Sequence, residues 1–266
     1  RATNRLRNAL VVAELSLAIV LLAGAGLMIR SFSALRQVRL GFQPSHALTA
    51  EISIPPRKYR SDTAQVAFFD EVERRIAALP GVRAVGAISF LPLSGDRSSS
   101  GFIVPGRPAP ARGDEPVGDM RAVTPGYFEA MGIPIVAGRP LTAADGASSP
   151  GVAVVSETLA RTIWPNENAV GKFIDYEWYK MEHVQIVGVA GDVRHEGVDK
   201  QPFMEIYRPL PQFAYSTMTV VVRTAGDPSP LARSIRDVVR SIDPDQPVFT
   251  VRTMDEWVAS SASQPR

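Results

Sequence analysis

The run GDVRHEGVD, residues 191–199, holds Asp192, His195, Glu196 and Asp199 within a few positions of one another. Carboxylates beside an imidazole are the parts of a general acid–base pair, or of a site for a cation. No second ligand group and no nucleophile-and-base pair elsewhere in the chain completes either site. The run also follows the apolar stretch VQIVGVAG, with Gly191 and Gly197 at its bends, so it reads as a polar turn facing water at the end of a strand. The other candidates are weaker. Ser94, Ser98, Ser99 and Ser100 lie in a Ser- and Gly-rich segment without the G-x-S-x-G elbow that exposes a nucleophile. The histidines, at 46, 183 and 195, are isolated from one another and show no ligand spacing. The chain has no Cys, which excludes thiol chemistry, disulfides and Cys-based metal sites. Gly171-Lys172-Phe173 lacks the remaining glycine and hydroxyl of a phosphate-binding loop. Trp164, Trp178, Tyr179 and Trp257 are candidates for a ligand platform, although aromatics beside Pro165 or flanking strands ordinarily serve packing. The sequence therefore assigns no catalytic, cofactor-binding or metal-binding residue.

A different kind of polar residue is Glu14. From Ala9 to Ile29 it is the one strongly polar side chain in NALVVAELSLAIVLLAGAGLMIRSF. About 20 apolar residues at roughly 1.5 Å each cross a hydrocarbon core of roughly 30 Å, so the stretch is expected to span a membrane. It is apolar on all sides, unlike a core helix, and too long for a signal peptide, with no small-residue cleavage site before Arg30. A carboxylate at the centre of such a span costs about 2.5–3.5 kcal/mol, so Glu14 is expected to face another helix rather than lipid. Three arginines flank each end of the run, so the positive-inside rule leaves orientation open. The remaining residues are close to charge-balanced, which argues against a nucleic-acid-binding face.

The elements beyond the span follow from periodicity. HALTAEISIP alternates Leu48, Ala50, Ile52 and Ile54 against Thr49, Glu51 and Ser53, the pattern of a half-buried strand. In the following SDTAQVAFFDEVERRIAALPG, Val66, Phe69, Val72, Ile76 and Leu79 form a helical stripe. Asp62 and Gln65 are expected to cap it, and Asp70–Arg74 and Glu71–Arg75 to pair on its wet side. VRAVGAISF then reads as a second strand. The same order returns near the end: STMTVVVRT, a helix from Ser229-Pro230 with Leu231, Ile235, Val238, Val239 and Ile242 on one face, and PVFTVRT. Two β-α-β units so far apart predict a split β-α-β sheet, with residues 48–54, 82–90, 216–224 and 247–253 in one sheet and a small mixed α/β insertion between them. The insertion opens with Ser-, Gly- and Pro-rich loops around a short strand near Gly101–Val104. TPGYFEAMGI and SETLARTIWP follow as helices, with GVAVVS, GKFIDYEW and EHVQIVGVAGDVR as strands. Thr253 and Glu256 have capping-box spacing, so a helix starts near the end of the given sequence, as expected for a portion of something longer.

The order of these segments resembles the permease half of MacB/FtsX-type ABC transporters, and among them the large duplicated permeases that lack a fused ATPase. The residues that carry it are RLRNALVVAELSLAIVLLAGAGLMIRSF, TPGYFEAMGIPIVAGRPL, VAVVSETLARTIWPNENAVGKFI, IVGVAGDVRHEGVD with MEIYRPL, and VRTMDEWV. The resemblance implies an α+β fold: an N-terminal transmembrane helix, then a MacB-like periplasmic core domain whose two β-α-β halves form a porter-like, ferredoxin-like sheet. On this reading residues 1–32 are the cytoplasmic flank and span, 46–91 and 213–254 the two halves of the porter-like part, 92–212 the inserted subdomain, and 255–266 the start of the helix leading to the next span. It implies an inner-membrane protein with a periplasmic domain, no enzymatic activity and no cofactor. The partners implied are a separate cytoplasmic ABC ATPase, other permease helices or a second permease half, the lipid bilayer and, as an optional further partner, a periplasmic adaptor. The chain departs from the family in having one span and no ATPase domain. The rival reading is a single-pass anchored binding or sensor module that acts alone.

Overall fold

The computed structural model describes residues 40–263 except 109, 112 and 177–180, together with positions 17, 18, 21, 22, 24 and 26. Those early positions are helical, but most of the apolar run, Glu14 included, lies outside the described residues. Among the described residues no helix is long and apolar enough to cross a membrane. Residues from Leu40 onward form one unit.

The first strand, β1 (Ala47–Ser53), leads into helix α1 (Asp62–Ala77) and strand β2 (Val82–Ile88). The matching unit runs through β10 (Thr217–Thr224), α4 (Leu231–Ile242) and β11 (Val248–Thr253). These four strands are neighbours in the order β11-β1-β10-β2. Both β2 and β1 run antiparallel to β10, so β1 and β2 are parallel and the crossover helix can lie on one face. Periodicity located the buried face correctly: Phe69, Val72 and Ile76 of α1 and Ile235 and Val239 of α4 are fully buried against Ile52, Val220 and Val222.

The helix starts differ from expectation. Ser61, in extended backbone, caps α1 by accepting from the Ala64 amide at 3.2 Å, while the Gln65 side chain donates instead to the Tyr59 carbonyl. Arg74 pairs with Glu71 rather than with Asp70, so Glu71 holds both arginines, Arg75 at 2.6 Å. Ser229 does not cap α4, because its hydroxyl is taken by Asp227. The last helix, α5 (Met254–Ser263), starts on a reciprocal box: the Thr253 amide donates to Glu256 at 2.8 Å and the Glu256 amide to the Thr253 hydroxyl at 3.2 Å.

Between the two units the sheet continues. Strands β3 (Ser99–Gly101), β4 (Val117–Val123), β5 (Ile135–Gly138), β6 (Val152–Ser156), β7 (Phe173–Tyr176), β8 (Met181–Ala190) and β9 (Glu205–Pro209) extend the order from β2 as β4-β9-β6-β8-β5, with β3 beside β4 and β7 beside β8. Sequence periodicity did not find β4, β5 or β9. Helices α2 (Tyr127–Met131) and α3 (Glu157–Ile163) lie on opposite faces, α2 with the cluster around Ile88, Val123 and Val221, α3 with the larger cluster around Ile52, Phe69 and Val155. Gly86 and Gly126 let α2 approach β2 at backbone distance: a Cβ on Gly86 would meet the Tyr127 nitrogen at 2.2 Å, and one on Gly126 the Val85 oxygen at 2.0 Å. Gly132 then closes α2 in the left-handed conformation, φ +67°.

Candidate functional site

The join between the two parts of the sheet is where the charged residues collect. Strands β2 and β4 share one ladder pair, Ile88 with Val123. Side chains carry the contact further. The Thr124 hydroxyl accepts from the Ala87 amide at 2.7 Å, and the Ser89 hydroxyl accepts from the Ala122 amide at 3.1 Å. One residue on, Arg121 reaches across and donates to the Phe90 carbonyl at 3.0 Å.

Arg121 is 1% exposed, and so are its partners Glu205 and Asp119. Its Nε donates to Glu205 Oε2 at 2.5 Å and its Nη2 to Oε1 at 3.2 Å, with Asp119 Oδ2 at 3.4 Å. This forked contact is possible because β4 and β9 are parallel with Arg121 opposite Tyr207 and Asp119 opposite Glu205. Outside this pair the chain of charges reaches solvent: Ser99 donates to Asp119 at 2.5 Å, Arg97 contacts Asp119 at 3.1 Å, and Arg97 also pairs with Glu196. Burial pushes the Glu205 carboxyl up to about 7, since Arg121 offsets only part of the lost hydration and Asp119 adds a like charge. Burial also opposes the charge on Arg121, but Glu205, Tyr207 and Asp119 outweigh it and hold the guanidinium charged.

The GDVRHEGVD run meets this cluster, and it is not the water-facing turn that its composition suggests. Val193 and His195 are buried. His195 Nε2 lies 3.3 Å from the Tyr207 hydroxyl and 3.8 Å from Glu205 Oε1. Burial, with Arg121 nearby, holds the imidazole well below its ordinary pKa, so it is neutral. Asp192 serves a neighbouring helix: it accepts from the Thr158 amide at 2.6 Å and hydroxyl at 2.8 Å, and pairs with Arg161 at 2.7 Å, next to the Ser156 cap of α3. Glu196 takes Arg97, and Asp199 is an exposed neighbour of Lys200. The four side chains therefore diverge to separate tasks. Of the serines, Ser99 and Ser100 sit in β3 rather than in a loop.

The two described aromatic candidates, Trp164 and Trp257, do not share a site. Trp164 is buried in the larger core cluster, whereas Trp257 packs against the other one and donates from Nε1 to the Thr49 hydroxyl at 3.0 Å. Trp178 and Tyr179 lie outside the described residues. Sequence reasoning missed Arg121 and Glu205. Their trace was two charges in each of two short segments with apolar neighbours, DMRAV and MEIYRP, but its meaning depends on a pairing of residues 84 positions apart.

The fold and this sequence have relatives. Residues 9–238 match the family described as the MacB-like periplasmic core domain. The chain belongs to that family. Among solved structures, the MacB-like domain is similar to the periplasmic region of MacB from Actinobacillus actinomycetemcomitans, at 15% identity and a TM-score of 0.55 over 85% of this chain and 96% of that one. It also matches the extracellular domain of the noncanonic ABC-type transporter YknZ from Gram-positive bacteria, at 16% identity and a TM-score of 0.48 over 76% of this chain and 100% of that one. At such identity the first likeness is one of fold. No curated protein matches the chain.

Proposed function

We propose that this MacB-like domain and the apolar run before it form part of one half of an ABC-transporter permease, which performs no covalent chemistry. On this reading it is anchored in the inner membrane by residues 9–29, stands in the periplasm, and transmits the conformational work of a separate cytoplasmic ATPase. Residues 46–91 and 213–254 are the porter-like part and 92–212 the inserted part, with a second permease half and a periplasmic adaptor as further partners. The observation that carries the reading is the family match across residues 9–238, which includes the apolar run. The sheet adds a physical reason, because its eleven strands belong to one sheet and the larger apolar core runs through both parts across the narrow β2–β4 join, so a displacement of one part is passed to the other. Glu14 then faces neighbouring helices, where a carboxylate finds a hydrogen-bond partner.

The test is reconstitution of the complete permease with the ATPase that co-purifies with it. ATP hydrolysis is expected to rise in its presence, to persist in Glu14→Gln and to lose its coupling in Glu14→Leu. A hydrolysis rate indifferent to the permease overturns the proposal. Topology is checked separately: a Cys placed at Ser98, in a chain without native Cys, should be labelled in cells whose inner membrane is intact.

A further inference from the structure

The sheet face opposite α1 and α4 is covered only in part. Ala47, Ile88 and Val221 lie beneath the second apolar cluster. Along the same strands, Glu51, Thr217 and Thr219 follow on that face and floor an open groove of about 590 Å³. Its walls are aromatic: Phe90 and Tyr215, in edge-to-face contact at 5.4 Å, and Trp257, whose indole is pinned to Thr49. At the far side β11 bulges against β1 between Thr49 and Glu51, and Thr250, held at φ +39°, lines the groove. A β-branched residue in left-handed backbone is strained, and such strain persists where surrounding structure holds it.

The charge of the groove is one-sided. Glu51 and Asp96 line it and no Lys or Arg does. Neither carboxylate has a hydrogen-bond or ion-pair partner among the described residues. We propose that the groove binds a small protonated amine carried on an apolar body. An ammonium group offers three donors, which Glu51 and the flanking Thr217 and Thr219 hydroxyls can accept, while the ring walls take the apolar part. Arg252 already stacks 4.4 Å over the Trp257 ring, so Phe90 and Tyr215 are the rings left to favour a cation. The volume is that of a drug-sized ligand site, about 300–1,000 Å³. An anion would meet two unpaired carboxylates, and a neutral polyol would leave both without a counter-charge. The inference does not depend on coupling to an ATPase.

The experiment is isothermal titration of the full chain in lipid nanodiscs with 4-phenylbutylamine, its neutral N-acetyl derivative and 4-phenylbutyrate, each corrected for empty nanodiscs. Saturable binding of the amine below about 1 mM is expected, with the two other probes at least about tenfold weaker, as loss of a charged hydrogen bond implies. Glu51→Gln should weaken the amine about tenfold or more, and the exposed Asp96→Asn by a smaller factor, both with an unchanged melting midpoint. Equal binding of amine and N-acetyl probe by the native chain overturns the proposal even where Glu51→Gln does not fold. So does unaltered affinity in folded Glu51→Gln. Binding of an extended Lys-containing peptide without binding of the amine would assign the groove to a protein partner and reject the small-molecule reading.

Discussion

Arg121 illustrates how a charge deep in a sheet changes from liability to fastener. A buried guanidinium is costly to desolvate, but two carboxylates and the Phe90 carbonyl surround it, so removing it strands Glu205 without its counter-charge, while Asp119 keeps Arg97 and Ser99. Arg121→Leu is expected to cost about 3–5 kcal/mol in chemical denaturation, and Arg121→Leu with Glu205→Leu substantially less, because the second change removes the stranded charge. Glu73 offers a milder case. Half-buried on α1 beside Thr124, its carboxyl is pushed by burial from an ordinary value of 4.5 to about 7. A raised carboxylate pKa means that the native state holds a proton the unfolded chain releases. Stability from Glu73 and Glu205 is thus present below the ordinary value near 4.5 and declines as pH rises to about 7. Glu73→Gln should flatten that decline and raise stability at neutral pH by about 1 kcal/mol, read from denaturation midpoints across the window.

At the scale of the element, backbone groups decide the ends and the close approaches. Because Ser61 rather than Asp62 satisfies a free amide of α1, Ser61→Ala should lower stability by about 1 kcal/mol, while Ser229→Ala, whose hydroxyl caps nothing, should change it by less than about 0.5 kcal/mol. Gly86 is less forgiving. An added methyl would stand 2.2 Å from the Tyr127 nitrogen and 2.4 Å from the Gly126 carbonyl carbon, both backbone, so α2 must lift from β2. Gly86→Ala should cost about 1–3 kcal/mol, visible as a lower melting midpoint and as faster amide exchange in α2. Phe69→Ala and Ile235→Ala, both at fully buried positions, should cost about 2–5 kcal/mol each.

Across the whole molecule, the narrow ladder between β2 and β4 suggests two separable parts, but the core says otherwise. The larger apolar cluster runs from Phe69 and Ile235 through Ala122 to Val155, Leu159 and Ile186 without a break. Residues 40–263 should therefore unfold in one transition. Ile235→Ala in one part and Leu159→Ala in the other should move the same midpoint, with tryptophan fluorescence and far-ultraviolet circular dichroism coinciding. Two resolved transitions, each shifted by only one of the substitutions, would refute a shared core.

Much of this was legible without coordinates. The stripes Val66-Phe69-Val72-Ile76 and Leu231-Ile235-Val238-Val239-Ile242 announced two helices, and the alternation around Ile52 a strand, because one buried face imposes a period on every neighbour in sequence. The recurrence of strand, helix and strand was enough to expect one split sheet, and the segment order pointed to the family. What remained hidden was what distant chain segments do to each other. Strands β4 and β9 carry Arg121 and Glu205 in alternation with Met120, Ala122 and Ile206, where they read as the wet side of a half-buried strand, and only the parallel register of the two strands turns them into a buried ion pair. His195 reads as polar and becomes buried because β9 brings Tyr207 against it. Glu51 reads as the wet side of a strand, yet its surroundings come from Tyr215 and Trp257, residues remote in sequence. Periodicity reports which face of an element is buried; only the tertiary structure decides what meets it there.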